Sequence, residues 1–146
     1  MTNRKYNEKA INDVYKNAHI ALQSLSDLIP SVKKHKELKK ELKDEYDGYQ
    51  KLIKEISAYM EDNKLEPKDI GVMKKVFMWC SIKTKVLFNN SRNQIAEMMI
   101  KGTLMGINEL TAMKNEDKNL DEGVKNLVLK LLKLEEDYMQ RLKAYL

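Results

Sequence analysis

Two helical stretches ninety residues apart carry the same pattern, and this repeat limits the fold more than any other feature of the chain. Adding 90 to Leu42, Lys43, Glu45, Asp47, Gln50 and Leu52 gives Leu132, Lys133, Glu135, Asp137, Gln140 and Leu142, an identical residue type each time. The first copy lies in the stripe Leu38, Leu42, Glu45, Tyr49, Leu52, Ile56 and Tyr59. The second lies in Val124, Leu127, Val128, Leu131, Glu135, Tyr138 and Leu142. Steps of three and four residues mark one face of a helix. One carboxylate per copy, Glu45 and Glu135, falls inside its stripe. A buried, unpaired carboxylate is costly, so each must pair, ligate a cation or hold its proton more tightly.

The rest of the chain is written in the same style. Five glycines and two prolines in 146 residues leave little material for turns, which favours a few long helices over many short strands. A first helix over 3–28 carries the seam Ile11, Val14, Ala18, Ala21, Leu22, Leu25, Leu28 and Ile29. Pro30 and Ser31 then turn the chain into a second helix over 31–62, folded back antiparallel. Pro67 suits the first turn of a third helix over 67–88, apolar on more than one side, whose roughly twenty residues would reach about 30 Å. Ser91 with Gln94 forms a capping box opening a helix over 91–114, and Asn119 with Glu122 repeats it before a last helix over 119–146.

A weaker correspondence at a separation of 85 sets Leu22, Gln23, Leu25, Ser26 and Leu28 against Ile107, Asn108, Leu110, Thr111 and Met113. Two repeats together predict one all-α domain over 1–146. It is a four-helix bundle of two helical hairpins, with an additional helix in the long crossover between the second and third bundle helices. With this architecture and the run Ile95-Ala96-Glu97-Met98-Met99-Ile100-Lys101-Gly102-Thr103-Leu104-Met105-Gly106, the chain resembles the ferritin-like superfamily, in particular its small bacterial members of unestablished function. Members of that superfamily hold two irons with a lone Glu on the first and third bundle helices and Glu-x-x-His on the second and fourth. The resemblance implies Glu45, Glu97 and Glu135 as carboxylate ligands. Gly48 and Tyr138 stand where the two histidines belong, and Asn12 is the counterpart of Glu97 at separation 85. Loss of both imidazoles implies a degenerate di-iron site. An all-carboxylate remnant would favour harder, more loosely held cations.

Each candidate also has a plainer reading. Glu45 and Glu135 could pair with a lysine or a tyrosine hydroxyl, keep a divalent metal (Fe, Mn or Zn), or form a buried, proton-sharing pair. Gly102 and Gly106, each costly inside a helix by about 1 kcal/mol, mark a close approach to the backbone, with Phe77 or Trp79 of the crossover as the expected neighbour. A ligand or partner groove is the alternative. His19 sits off its seam and reads as a surface residue; His35 reads as exposed or capping. Cys80 reads as a small core residue, and no zinc spacing, phosphate loop or nucleophile elbow occurs.

A formal charge of +5 rests on lysines interleaved with acids, as in Lys33 to Asp44, without the aromatic or arginine clusters that grip nucleic acid. A single cysteine and the lack of a signal segment or a long apolar run predict a soluble, cytoplasmic protein. The functional expectation is a non-catalytic bundle that acts through protein contacts, as a homodimer or with a protein partner and without a cofactor. The alternative is a metal-binding protein using Glu45, Glu97 and Glu135.

Overall fold

A computed structural model describes residues 3–32, 34–68, 91–116 and 119–146. Among these residues the chain is helical, without strands. The four helices are α1 (Asn3–Leu28), α2 (Lys36–Asp62), α3 (Arg92–Asn115) and α4 (Glu122–Leu142). No helix among the described residues is long and apolar enough to cross a membrane.

Three helices bury the stripes their periodicity marks. Ile11, Val14, Ala18, Leu25 and Leu28 of α1 pack inward with Leu38, Leu42, Leu52 and Ile56 of α2 and Val124, Leu127, Val128, Leu131 and Leu142 of α4. The third helix behaves differently. It buries Ile95, Ala96, Ile107 and Leu110, while Leu104 is 44% and Met105 75% exposed. Met98, Met99, Leu104 and Met105 surround α3, so apolarity alone does not mark its inner face.

Helix boundaries depart from expectation where turn chemistry intervenes. The chain does not enter α2 at residue 31. Ile29–Val32 forms a 3-10 turn, and α2 starts at Lys36 with His35 at its N-cap. The last helix starts at Glu122 behind Asp121 rather than at a cap on Asn119. The Ser91–Gln94 capping box is present, the Ser91 N–H donating to Gln94 Oε1 at 3.2 Å.

Contacts along the helices fix their directions. Glu41 meets Arg141, Glu55 meets Lys130, and Tyr59 lies over Gly123, so α2 and α4 run antiparallel. Asn7 near the start of α1 reaches Asn119 and Asp121 at the entry to α4, so these two helices run the same way. Tyr6 donates to the Glu116 carbonyl past the end of α3, and Asn17 to that of Gly106, so α1 and α3 are antiparallel. Hence α2 and α3 run parallel. Lys68 lies beside the N-terminal half of α1. Arg92 stacks over Tyr145 at the other end, where the Tyr145 hydroxyl donates to Glu37. The predicted helix over 67–88, with Phe77, Trp79 and Cys80, lies outside the described residues from 69 onward.

Candidate functional site

The repeat places its residues in matched environments. Leu42 and Leu132, Glu45 and Glu135, and Leu52 and Leu142 are all buried; Lys43 and Lys133, Asp47 and Asp137, and Gln50 and Gln140 are all exposed. Glu45 and Glu135 take leucine-like places in their stripes, and each is driven inside by the apolar residues around it. Their exposures are 1% and 2%. Burial is the main cause that holds the Glu45 carboxyl proton up to about 9 and that of Glu135 up to about 8, against an ordinary 4.5.

The two carboxyls are tied to different neighbours. Glu135 accepts the Tyr49 hydroxyl at 2.9 Å through Oε2. Its other oxygen points at the backbone of α3, 2.6 Å from the place a β-carbon on Gly106 would take. The Asn17 amide nitrogen lies 3.2 Å from the same place. Glu45 shares a hydrogen bond with Glu41, one turn earlier on α2, and Glu41 accepts from Arg141 at 2.7 Å. The Arg141 guanidinium lies 4.9 Å from the Tyr138 ring centre, a cation–π distance. Between the two sets stand the rings of Tyr49 and Tyr138, tilted against each other with centres 5.5 Å apart. Burial first, then the neighbouring Glu45, pushes the Tyr138 phenol up to about 12.

Gly48 and Tyr138 occupy equivalent places, three residues after Glu45 and Glu135, and they face one another. A β-carbon on Gly48 would collide with the Tyr138 hydroxyl oxygen. The phenol thus fills the space where a side chain at position 48 would stand. A small residue on α2 is matched to a large one on α4, as interdigitated cores require.

Of the carboxylates that the resemblance implied, the structure brings Glu45 and Glu135 inside and leaves Glu97 out. Glu97 lies on the outer face of α3, its side chain 58% exposed and ion-paired to Lys101 at 3.1 Å, because its helical phase points away from Ile95 and Ala96. Asn12 is no ligand counterpart either. Its amide clamps the backbone of Lys68, accepting from that N–H at 2.9 Å and donating to that carbonyl at 3.4 Å. His19 is half-buried against the Tyr15 ring, with centres 4.3 Å apart. Among the described residues no three His, Cys, Asp or Glu side chains converge. Two carboxyls on separate neighbours, with a phenol between them, do not fit a di-iron centre.

The glycines also divide. Gly106 is the close approach that the sequence suggested, and among the described residues Glu135 and Asn17 make it, while Phe77 and Trp79 lie outside the described residues. Gly102 is not: it is exposed, and nothing among the described residues comes within 4 Å of a β-carbon there. One turn of α3 separates them, and only Gly106 falls at the level where α1 and α4 close in.

Sequence reasoning missed Asn7 and Asn17 of α1 and weighed Asn12 only as a ligand counterpart. Asn7, Asn12 and Asn17 are all buried, five residues apart, and each fastens another part of the chain. Asn7 donates to Asn3 and Asn119 and accepts from the Asp121 N–H at 2.7 Å, Asn12 holds Lys68, and Asn17 holds α3 at Gly106. The available signal was a polar residue of poor helix propensity recurring beside the seam of a long helix. Outside the core, a groove of about 370 Å³ follows α4 past Lys130, Lys133, Leu134, Asp137, Tyr138 and Arg141. Its cations are engaged by Glu55, Asp137 and Glu41, so it presents paired rather than free positive charge. Comparison of the chain with family models, curated proteins and solved structures found no match.

Proposed function

We propose that this protein is a non-catalytic helical bundle of ferritin-like arrangement, with a degenerate di-iron site, that works through protein contacts in the cytoplasm. In this reading residues 67–88 form the crossover helix that two parallel helices, α2 and α3, require. The observation that supports this reading is the Tyr138 hydroxyl, which stands where a side chain at position 48 would begin, in the position that a histidine ligand would need. The exposed Leu104 and Met105 on α3 supply an outward apolar surface, and a second copy of the chain is the partner this reading assigns to it.

Two measurements on one preparation test the proposal. Protein purified without chelators should contain no stoichiometric metal, and Fe, Mn or Zn should leave its melting temperature unchanged. Stoichiometric metal lost in Glu45→Ala with Glu135→Ala would instead establish the metal-binding alternative. Light scattering should show a dimer that Met105→Lys dissociates. A monomer across a wide concentration range would remove the homodimer.

A further inference from the structure

Among the described residues three buried side-chain atoms lack a hydrogen-bond partner: Asn17 Oδ1, Glu45 Oε2 and Glu135 Oε1. Two of them belong to the repeated carboxyls, and the third sits beside one of those. Leaving buried oxygens unsatisfied is expensive, and a charged carboxylate in such a place more so. One proton on each carboxyl removes its charge and turns one of its oxygens into a donor, which lowers the penalty of burying both groups. A proton on Glu45 lies beside Glu41, whose negative charge Arg141 holds in place. A proton on Glu135 removes the charge from the oxygen that points at Gly106, where the Asn17 amide nitrogen also closes in.

We infer that Glu45 and Glu135 are carboxylic acids in the folded protein and together form an alkali-sensitive latch, whose ionisation loosens α4 from the other three helices. The latch reaches each of the four described helices. Glu135 sits on α4 and meets Tyr49 of α2, Asn17 of α1, and Gly106 and Glu109 of α3. Glu45 sits on α2, beside Glu41 and Asp44 of its own helix and Tyr138 and Arg141 of α4. Only Arg141 among these neighbours favours ionisation of Glu45, and it is already engaged by Glu41. Around Glu135, the Tyr49 hydrogen bond favours the charge, while burial and Glu109 oppose it.

The direction of the pH effect follows. In the unfolded chain both carboxyls lose their protons near 4.5, whereas the folded chain keeps them to about 8 and about 9. The contribution to stability is complete below 4.5 and is lost as pH rises, until the folded carboxyls themselves ionise. Across the intervening range unfolding releases about two protons, so the folding equilibrium falls roughly 100-fold per pH unit from these groups alone.

Thermal unfolding from about pH 6 to 9 tests the latch on the intact chain, compared with Glu45→Gln, Glu135→Gln and the double variant, since an amide keeps the donor without the titration. The wild-type melting temperature should fall with pH, each substitution should remove about half of that slope, and the double variant should be flat and more stable at pH 9. Infrared spectra of the wild-type protein at neutral pH should contain a carboxylic-acid carbonyl band. That spectrum decides the matter even if the variants fold poorly. A flat wild-type profile, or the absence of the acid band, overturns the latch.

Discussion

At the scale of single residues, the close approaches made at Gly48 and Gly106 divide the helical glycines by use. A β-carbon at Gly106 would press on Glu135 and Asn17, whereas at Gly102 it would meet open space among the described residues. Alanine should therefore act in opposite directions one turn apart. Gly102→Ala should raise stability by about 0.5–1 kcal/mol, the helix-propensity difference. Gly106→Ala should lower it by about 1–2 kcal/mol, as overpacking in a filled core does. Urea unfolding midpoints measure both, and equal shifts of the same sign would contradict the assignment. The motif reading could not separate these positions, because Gly-x-x-x-Gly fixes a shared face but not the level at which neighbouring helices close in.

At the scale of elements, α1 does more than contribute a seam. Its asparagines hold the entry to α4, the backbone at Lys68 and the middle of α3, each through a buried amide. Side chains of this kind are neutral to unfavourable inside a helix, so their burial implies that the tertiary bonds outweigh the local preference. Asn7→Ala should cost about 0.5–1.5 kcal/mol, because it takes the acceptor from the Asp121 N–H in a part-buried contact. Hydrogen exchange at the Asp121 amide should speed up more than exchange in the centre of α2. Unchanged protection there would show that the clamp is not what holds α4 at its start. The weak definition of α3 has the same origin in reverse. Methionine and leucine occur on several of its sides, so no single stripe dominates, and its orientation depends on α4, Asn17 and Tyr6 more than on its own pattern.

At the scale of the molecule, the sequence repeat and the packing agree at each of the six matched pairs. Period alone revealed α1, α2 and α4, and it revealed that Glu45 and Glu135 point inward, because a carboxylate in a leucine position has nowhere else to go. It could not reveal which groups each carboxyl would meet, since Glu41, Asn17 and Tyr49 reach them through side-chain directions that spacing does not encode. Nor could it place Glu97, which lies only one residue from buried Ala96 yet faces solvent. The feature joining these levels is the large-to-small match of Tyr138 with Gly48, which makes the interior of the bundle its own filling. A double-mutant cycle on this pair is the most direct test. Gly48→Ala alone should destabilise by about 1–3 kcal/mol. In the background of Tyr138→Leu, which removes the hydroxyl, the same substitution should cost almost nothing or stabilise, a coupling of about 1–3 kcal/mol. Additive effects of the two substitutions would mean that Tyr138 does not occupy the space above Gly48, and the filled interior would have to be abandoned.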